Sequence, residues 1–90
     1  MRIVYIGLPT VKSVQKFVEL ISPLEGQFDL LSDEYILDAK SLMGIFRLDL
    51  TMPIRLRIEK ASKETLNAIG NFIVPGPVRS RKKKMEDKNE

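Results

Sequence analysis

Ile3-Val4-Tyr5-Ile6 opens the chain as a β-branched and aromatic run, and Gly7 closes it, the pattern of a short strand. Thr10 then stands where a helix N-cap belongs, because its hydroxyl can accept an orphan backbone N–H. Val14, Phe17, Val18 and Ile21 follow at i, i+3, i+4 and i+7, one face of an amphipathic helix. Lys12, Gln15, Lys16 and Glu19 occupy the other faces, and Ser22-Pro23 ends the helix. Gln27–Leu31 alternates polar and apolar as a second strand, and Ser32-Asp33-Glu34 has the length of a hairpin loop. Tyr35–Asp38 reads as a third strand, antiparallel to the second. Ile54–Glu59 alternates over six residues, which predicts a strand with one buried and one wet face. Ser62 caps a last helix whose apolar face holds Leu66, Ile69, Phe72 and Ile73, and Pro75-Gly76-Pro77 stops it.

Between the third and fourth strands lies Lys40–Leu48, apolar, opened by a cap-forming serine and interrupted by Gly44. It predicts a short helix, so the element order is β-α-β-β-α-β-α. Amphipathic helices with a half-wet sheet predict an α+β open-faced sandwich, helices on one face. Pattern alone leaves a ferredoxin-like β-α-β-β-α-β arrangement equally open.

Composition narrows the chemistry. The chain has 90 residues, 43% hydrophobic and 30% charged, suited to one domain with a modest core. It has no cysteine and no histidine. That removes thiolate chemistry, the commonest general base and the usual transition-metal ligands, and no cofactor or metal is expected. No apolar run has the length of a membrane span, and the N-terminus lacks the pattern of a signal peptide, so a cytoplasmic location is expected. The net charge of +3 resides in residues 79–90, which hold six of the fifteen Lys/Arg and three of the twelve acids. The remainder carries nine of each sign. The division expected is a folded domain over 1–74 and a disordered basic tail over 75–90.

The segment Lys40-Ser41-Leu42-Met43-Gly44, the first helix ending Phe17-Val18-Glu19-Leu20-Ile21-Ser22, and the element order together resemble the HPr family. These are the small phosphocarrier proteins of the bacterial phosphoenolpyruvate-dependent sugar phosphotransferase system. The resemblance covers about residues 2–74 and implies a four-stranded antiparallel sheet with three helices on one face. The family carries phosphate on a histidine within a Gly-x-His-x-Arg-Pro motif. Counted back from Ser41 without gaps, the histidine position is Thr10, the arginine position Lys12 and the proline position Ser13. A phosphoester on Thr10 would be far more inert than a phosphohistidine. The chain is therefore expected to be neither a phosphoryl carrier nor an enzyme, with residual transfer through Thr10 as the alternative.

The resemblance implies a second site at Ser41, which matches the serine phosphorylated by a dedicated kinase in Gram-positive relatives and in histidine-less paralogues devoted to catabolite repression. Two readings stand: Ser41 is an N-cap alone, or a cap and a phosphorylation site. Lys12 can supply a cation in place of the family's arginine, without its bidentate fork. Leu42, Met43 and Phe46 match the family's exposed docking patch, with Ile45 and Leu48 free to point to the core; the competing reading makes all five core. The expected partners are an HPr-type serine kinase, a transcriptional regulator or components of the phosphotransferase system, and no membrane. Nucleic acid is a partner only through Arg79, Arg81, Lys82, Lys83 and Lys84, which read more simply as a solvated tail.

Overall fold

A computed structural model describes residues 1–76. Strands β1 (Arg2–Ile6), β2 (Phe28–Leu31), β3 (Ile36–Asp38) and β4 (Ile54–Ile58) form one sheet in the order β1-β4-β2-β3. Every neighbouring pair is antiparallel. β1 and β2 run parallel with β4 inserted between them, and β1 is an edge strand; in the ferredoxin-like arrangement β3 is the inserted strand and β1 lies inside the sheet, so the strand order excludes that alternative. The helices are α1 (Val11–Ile21), α2 (Leu42–Ile45) and α3 (Lys63–Ala68), the last followed by a 3-10 turn at Gly70–Phe72. This is the α+β open-faced sandwich of the HPr-like type.

The period of each element decides which face it buries. On the sheet, Ile6, Phe28, Leu30, Ile54, Leu56 and Ile58 point to one side and are buried. Val14, Phe17 and Ile21 of α1, Ile45 of α2 and Ile69 after α3 meet them there in one core. Phe17 is wholly buried and meets Phe72 edge-to-face, ring centroids 5.4 Å apart at 70°. Thr10, Ser41 and Ser62 cap the three helices, each side chain accepting a backbone N–H from three residues on. Gly26 has φ of +94°, and a Cβ there would press on the stem of Lys60 at 3.1 Å, so the turn into β2 calls for glycine.

The other side of the sheet is open and mixed in character. Ile3, Tyr5, Asp29, Leu31, Ile36, Arg55 and Arg57 project there by alternation. Asp29 is nevertheless well covered: its side chain is 10% exposed, Arg57 Nη2 donates to Oδ2 at 2.9 Å, and Gln27 Nε2 donates to Oδ1 at 3.2 Å. Arg57→Met strands that carboxylate and should cost about 1–2 kcal/mol, discounted for the one-third exposure of Arg57. Urea unfolding measures it; converting both residues to leucine should recover most of the loss.

The last helix is shorter than its apolar spacing predicts. Residues up to Ile73 were expected on one helical face, but α3 ends at Ala68 and Gly70 opens a tighter turn. Ile73 is extended, bridges Ile6 and is 38% exposed, so it belongs to the rim of the sheet instead of a helix face. Gly7 N–H donates to the Phe72 carbonyl and Val74 N–H to the Tyr5 carbonyl, both at 2.9 Å. Two main-chain bonds to an open strand edge outweigh the weak propensity of a Gly-Asn-Phe turn to continue a helix. The basic segment Arg79–Lys84 lies outside the described residues.

Candidate functional site

α2 is one turn long, and its five apolar positions separate sharply by depth. Ile45 is fully buried. Leu42 and Leu48 are half-buried and pack against the core. Met43 is 78% exposed and Phe46 41% exposed. The family-derived set Leu42, Met43 and Phe46 thus divides: Met43 and Phe46 face outward, while Leu42 shares its surface with the interior. An exposed methionine and an exposed phenylalanine three residues apart form an apolar edge of the kind enriched in protein interfaces.

Ser41 sits at the start of this turn, exposed, with Oγ accepting the Gly44 N–H at 3.2 Å and its carbonyl accepting the Ile45 N–H at 3.1 Å. A Cβ on Gly44 would sit 3.2 Å from that Oγ, so glycine leaves the cap room to close. The surroundings of Ser41 are not those of a ready anion site, because a four-residue turn has little dipole. Asp38 lies three residues earlier, its carbonyl accepting the Ser41 N–H at 3.0 Å and its Oδ1 the Lys40 N–H at 2.9 Å.

Thr10 occupies the N-cap of α1 in a reciprocal capping box. Its Oγ1 accepts the Ser13 N–H at 3.0 Å, and Ser13 Oγ accepts the Thr10 N–H at 3.0 Å. The hydroxyl is thus committed to the helix, and no ionisable base contacts it among the described hydrogen bonds. Lys12 is exposed in the first turn of α1, and no described ion pair or hydrogen bond ties it to Ser41. α1 and α2 pack against each other, which puts Thr10 and Ser41 on neighbouring elements.

Other surfaces offer less. A groove of about 480 Å³ lies at one end of the open sheet face, between Tyr5, Leu31, Asp33, Asp49, Met52 and Arg55. The side-chain and backbone hydrogen bonds from Thr51 hold the Asp49 carboxyl below its usual value. The folded-state bonus of that pair is present at neutral pH and is lost as pH falls through the lowered pKa. Among the described residues no group of three His, Cys, Asp or Glu side chains is placed to hold a metal ion. No described helix is long and apolar enough to cross a membrane.

Two features of the site escaped the sequence reading. Lys40 Nζ donates to the Leu24 carbonyl at 2.7 Å and stands 5.4 Å from the centre of the Phe28 ring. Tyr35 in the β2–β3 loop lies against Arg47: its hydroxyl donates to the Arg47 carbonyl at 3.4 Å, and the guanidinium is 5.9 Å from its ring centre. No spacing rule pairs a lysine with a main-chain carbonyl sixteen residues away; only the fold creates that contact. Comparison of the chain with protein-family models, with curated proteins and with solved structures finds no match.

Proposed function

We propose that this chain is an HPr-like regulatory adaptor, degenerate at the histidine site, that binds a protein partner through the α2 edge. Met43 and Phe46 are the anchors, with Leu42 behind them and Lys12 as a flanking cation. The observation that carries this reading is the contrast within α2: Met43 is 78% exposed while Ile45, two residues on, is wholly buried. A turn already anchored to the core through Ile45, Leu42 and Leu48 has little structural use for a projecting Met43, whereas a docking surface does. Thr10 acts as a helix cap, and phosphoryl relay is not part of this reading. The partners are a transcriptional regulator of catabolite repression or components of the phosphotransferase system, and the setting is the cytoplasm.

Ser41 is the regulatory position. A kinase moves the γ-phosphoryl group of ATP to its Oγ and releases ADP. The added charge enters at the cap of the turn that carries Met43, so it changes docking by placing charge next to an apolar anchor and by altering the cap. Incubation of the full chain with an HPr-type serine kinase and ATP, followed by mass measurement, tests the switch. One phosphate in the wild type and none in Ser41→Ala is expected. No incorporation, or incorporation that survives Ser41→Ala, removes Ser41 from the mechanism.

A further inference from the structure

A one-turn helix cannot hold its own pose. Fixing the first helical turn is costly, and Gly44 in its middle adds about 1 kcal/mol relative to alanine. The direction in which Met43 and Phe46 project must therefore come from contacts outside α2. Three apolar contacts reach the core, through Leu42, Ile45 and Leu48. Two polar contacts bracket the turn. On the far side, the Tyr35 hydroxyl reaches the Arg47 carbonyl at 3.4 Å on an exposed surface, long for an O–H···O bond. On the near side, Lys40 Nζ meets the Leu24 carbonyl at 2.7 Å in a part-buried setting, short and charge-assisted.

The Lys40 contact also fills a gap elsewhere. Leu24 lies just beyond α1, where its N–H donates back to the Ile21 carbonyl at 3.0 Å. The last turn of α1 contains no basic residue of its own. A cation beside the C-terminal end of a helix is favourable, and Lys40 brings one from the next segment. Its aliphatic stem is half-buried, with the ammonium over the Phe28 ring at 5.4 Å. A single side chain thus ties the end of α1 to the residue immediately before the Ser41 cap.

We infer that Lys40 is a positioning residue for the docking edge: it locks α2 against the end of α1 and so fixes how Met43 and Phe46 are presented. The inference rests on the docking reading for its functional meaning, but its test needs no partner. Amide hydrogen exchange is followed by NMR on the full chain, in wild type, Lys40→Met and Lys40→Arg. Lys40→Met keeps a stem over Phe28 and removes the charge and the donor; Lys40→Arg keeps a cationic donor. The Ile45, Arg47 and Leu48 amides, which bond to Ser41, Gly44 and Ile45, report on α2; the Leu56 amide reports on the sheet.

Lys40→Met should speed exchange of the three α2 amides about tenfold while Leu56 stays unchanged. Lys40→Arg should return the α2 amides most of the way to wild type. Equal acceleration at Leu56 would make Lys40 a general stabiliser and overturn the inference, as would α2 amides that do not move or an Lys40→Arg variant that behaves like Lys40→Met. If the exchange result holds but no partner ever contacts Met43, the docking reading fails and the positioning of α2 by Lys40 stands.

Discussion

Phe17→Ala should cost this domain about 3–5 kcal/mol, enough to abolish or nearly abolish its cooperative unfolding transition at room temperature. Phe17 lies in the middle of the buried face of α1, between Val14 and Ile21, with no exposed surface. Its ring meets Phe72 edge-to-face at 5.4 Å, and that contact holds the 3-10 turn after α3 against α1. Truncation to alanine removes the transfer energy of the ring, leaves a cavity among Val14, Ile21 and the sheet, and orphans Phe72. A small single-core domain has little stability to spare. Phe17→Leu keeps most of the volume and should cost only about 1–1.5 kcal/mol. Urea denaturation followed by circular dichroism checks both. A loss below about 1 kcal/mol for Phe17→Ala would mean that α1 does not depend on this contact.

Met43→Asp combined with Phe46→Ala should weaken partner binding by at least about thirtyfold, corresponding to about 2 kcal/mol or more for interface anchors of this type. The same double variant should cost only about 1 kcal/mol of stability, most of it from the half-covered Phe46, because Met43 is 78% exposed and Phe46 41% exposed. Ile45→Ala makes the opposite pattern: Ile45 is buried, so its loss should lower stability by about 2–5 kcal/mol. Calorimetric titration of the purified regulator or phosphotransferase component separates the two patterns. A double variant that binds as wild type does would show that the exposed edge of α2 is not where the partner sits.

The long periodic elements were legible in the sequence because each repeats its pattern often enough to set a phase. α1 shows two full turns of Val14, Phe17, Val18 and Ile21, and β4 alternates through Ile54, Leu56 and Ile58; both fold as their spacing predicts. The antiparallel sheet was expected from the family resemblance and is what the chain forms, whereas the strand order was not legible in local pattern, which leaves the connection between distant strands free. The last helix was over-extended because Leu66, Ile69, Phe72 and Ile73 share a helical spacing. Pairing of Ile73 with Ile6 along the sheet edge won over that local preference.

At the candidate site the limit was sharper. Leu42, Met43, Ile45, Phe46 and Leu48 are all apolar, and one turn contains no second repeat with which to tell the inward face from the outward one. Only the packing of Ile45 into the core shows that Met43 and Phe46 remain outside. The cap roles of Thr10 and Ser41 were legible, because a hydroxyl ahead of a helix has a local job. The clamp from Lys40 to the Leu24 carbonyl was not, because the acceptor is main chain and the contact is long-range.

The methionines supply the most direct test of the docking reading. Met43 projects from α2, Met52 lines the groove at the far end of the open sheet face, and Met1 lies beside the Gln27–Asp29–Arg57 cluster. With the methionine methyl groups labelled with carbon-13, each surface carries its own NMR signal during titration with the purified catabolite regulator or phosphotransferase component. A partner that docks on the α2 edge should shift or broaden the Met43 methyl signal and leave Met52 and Met1 in place. A response at Met52 or Met1 with Met43 unmoved, or no response to either partner, would contradict the account.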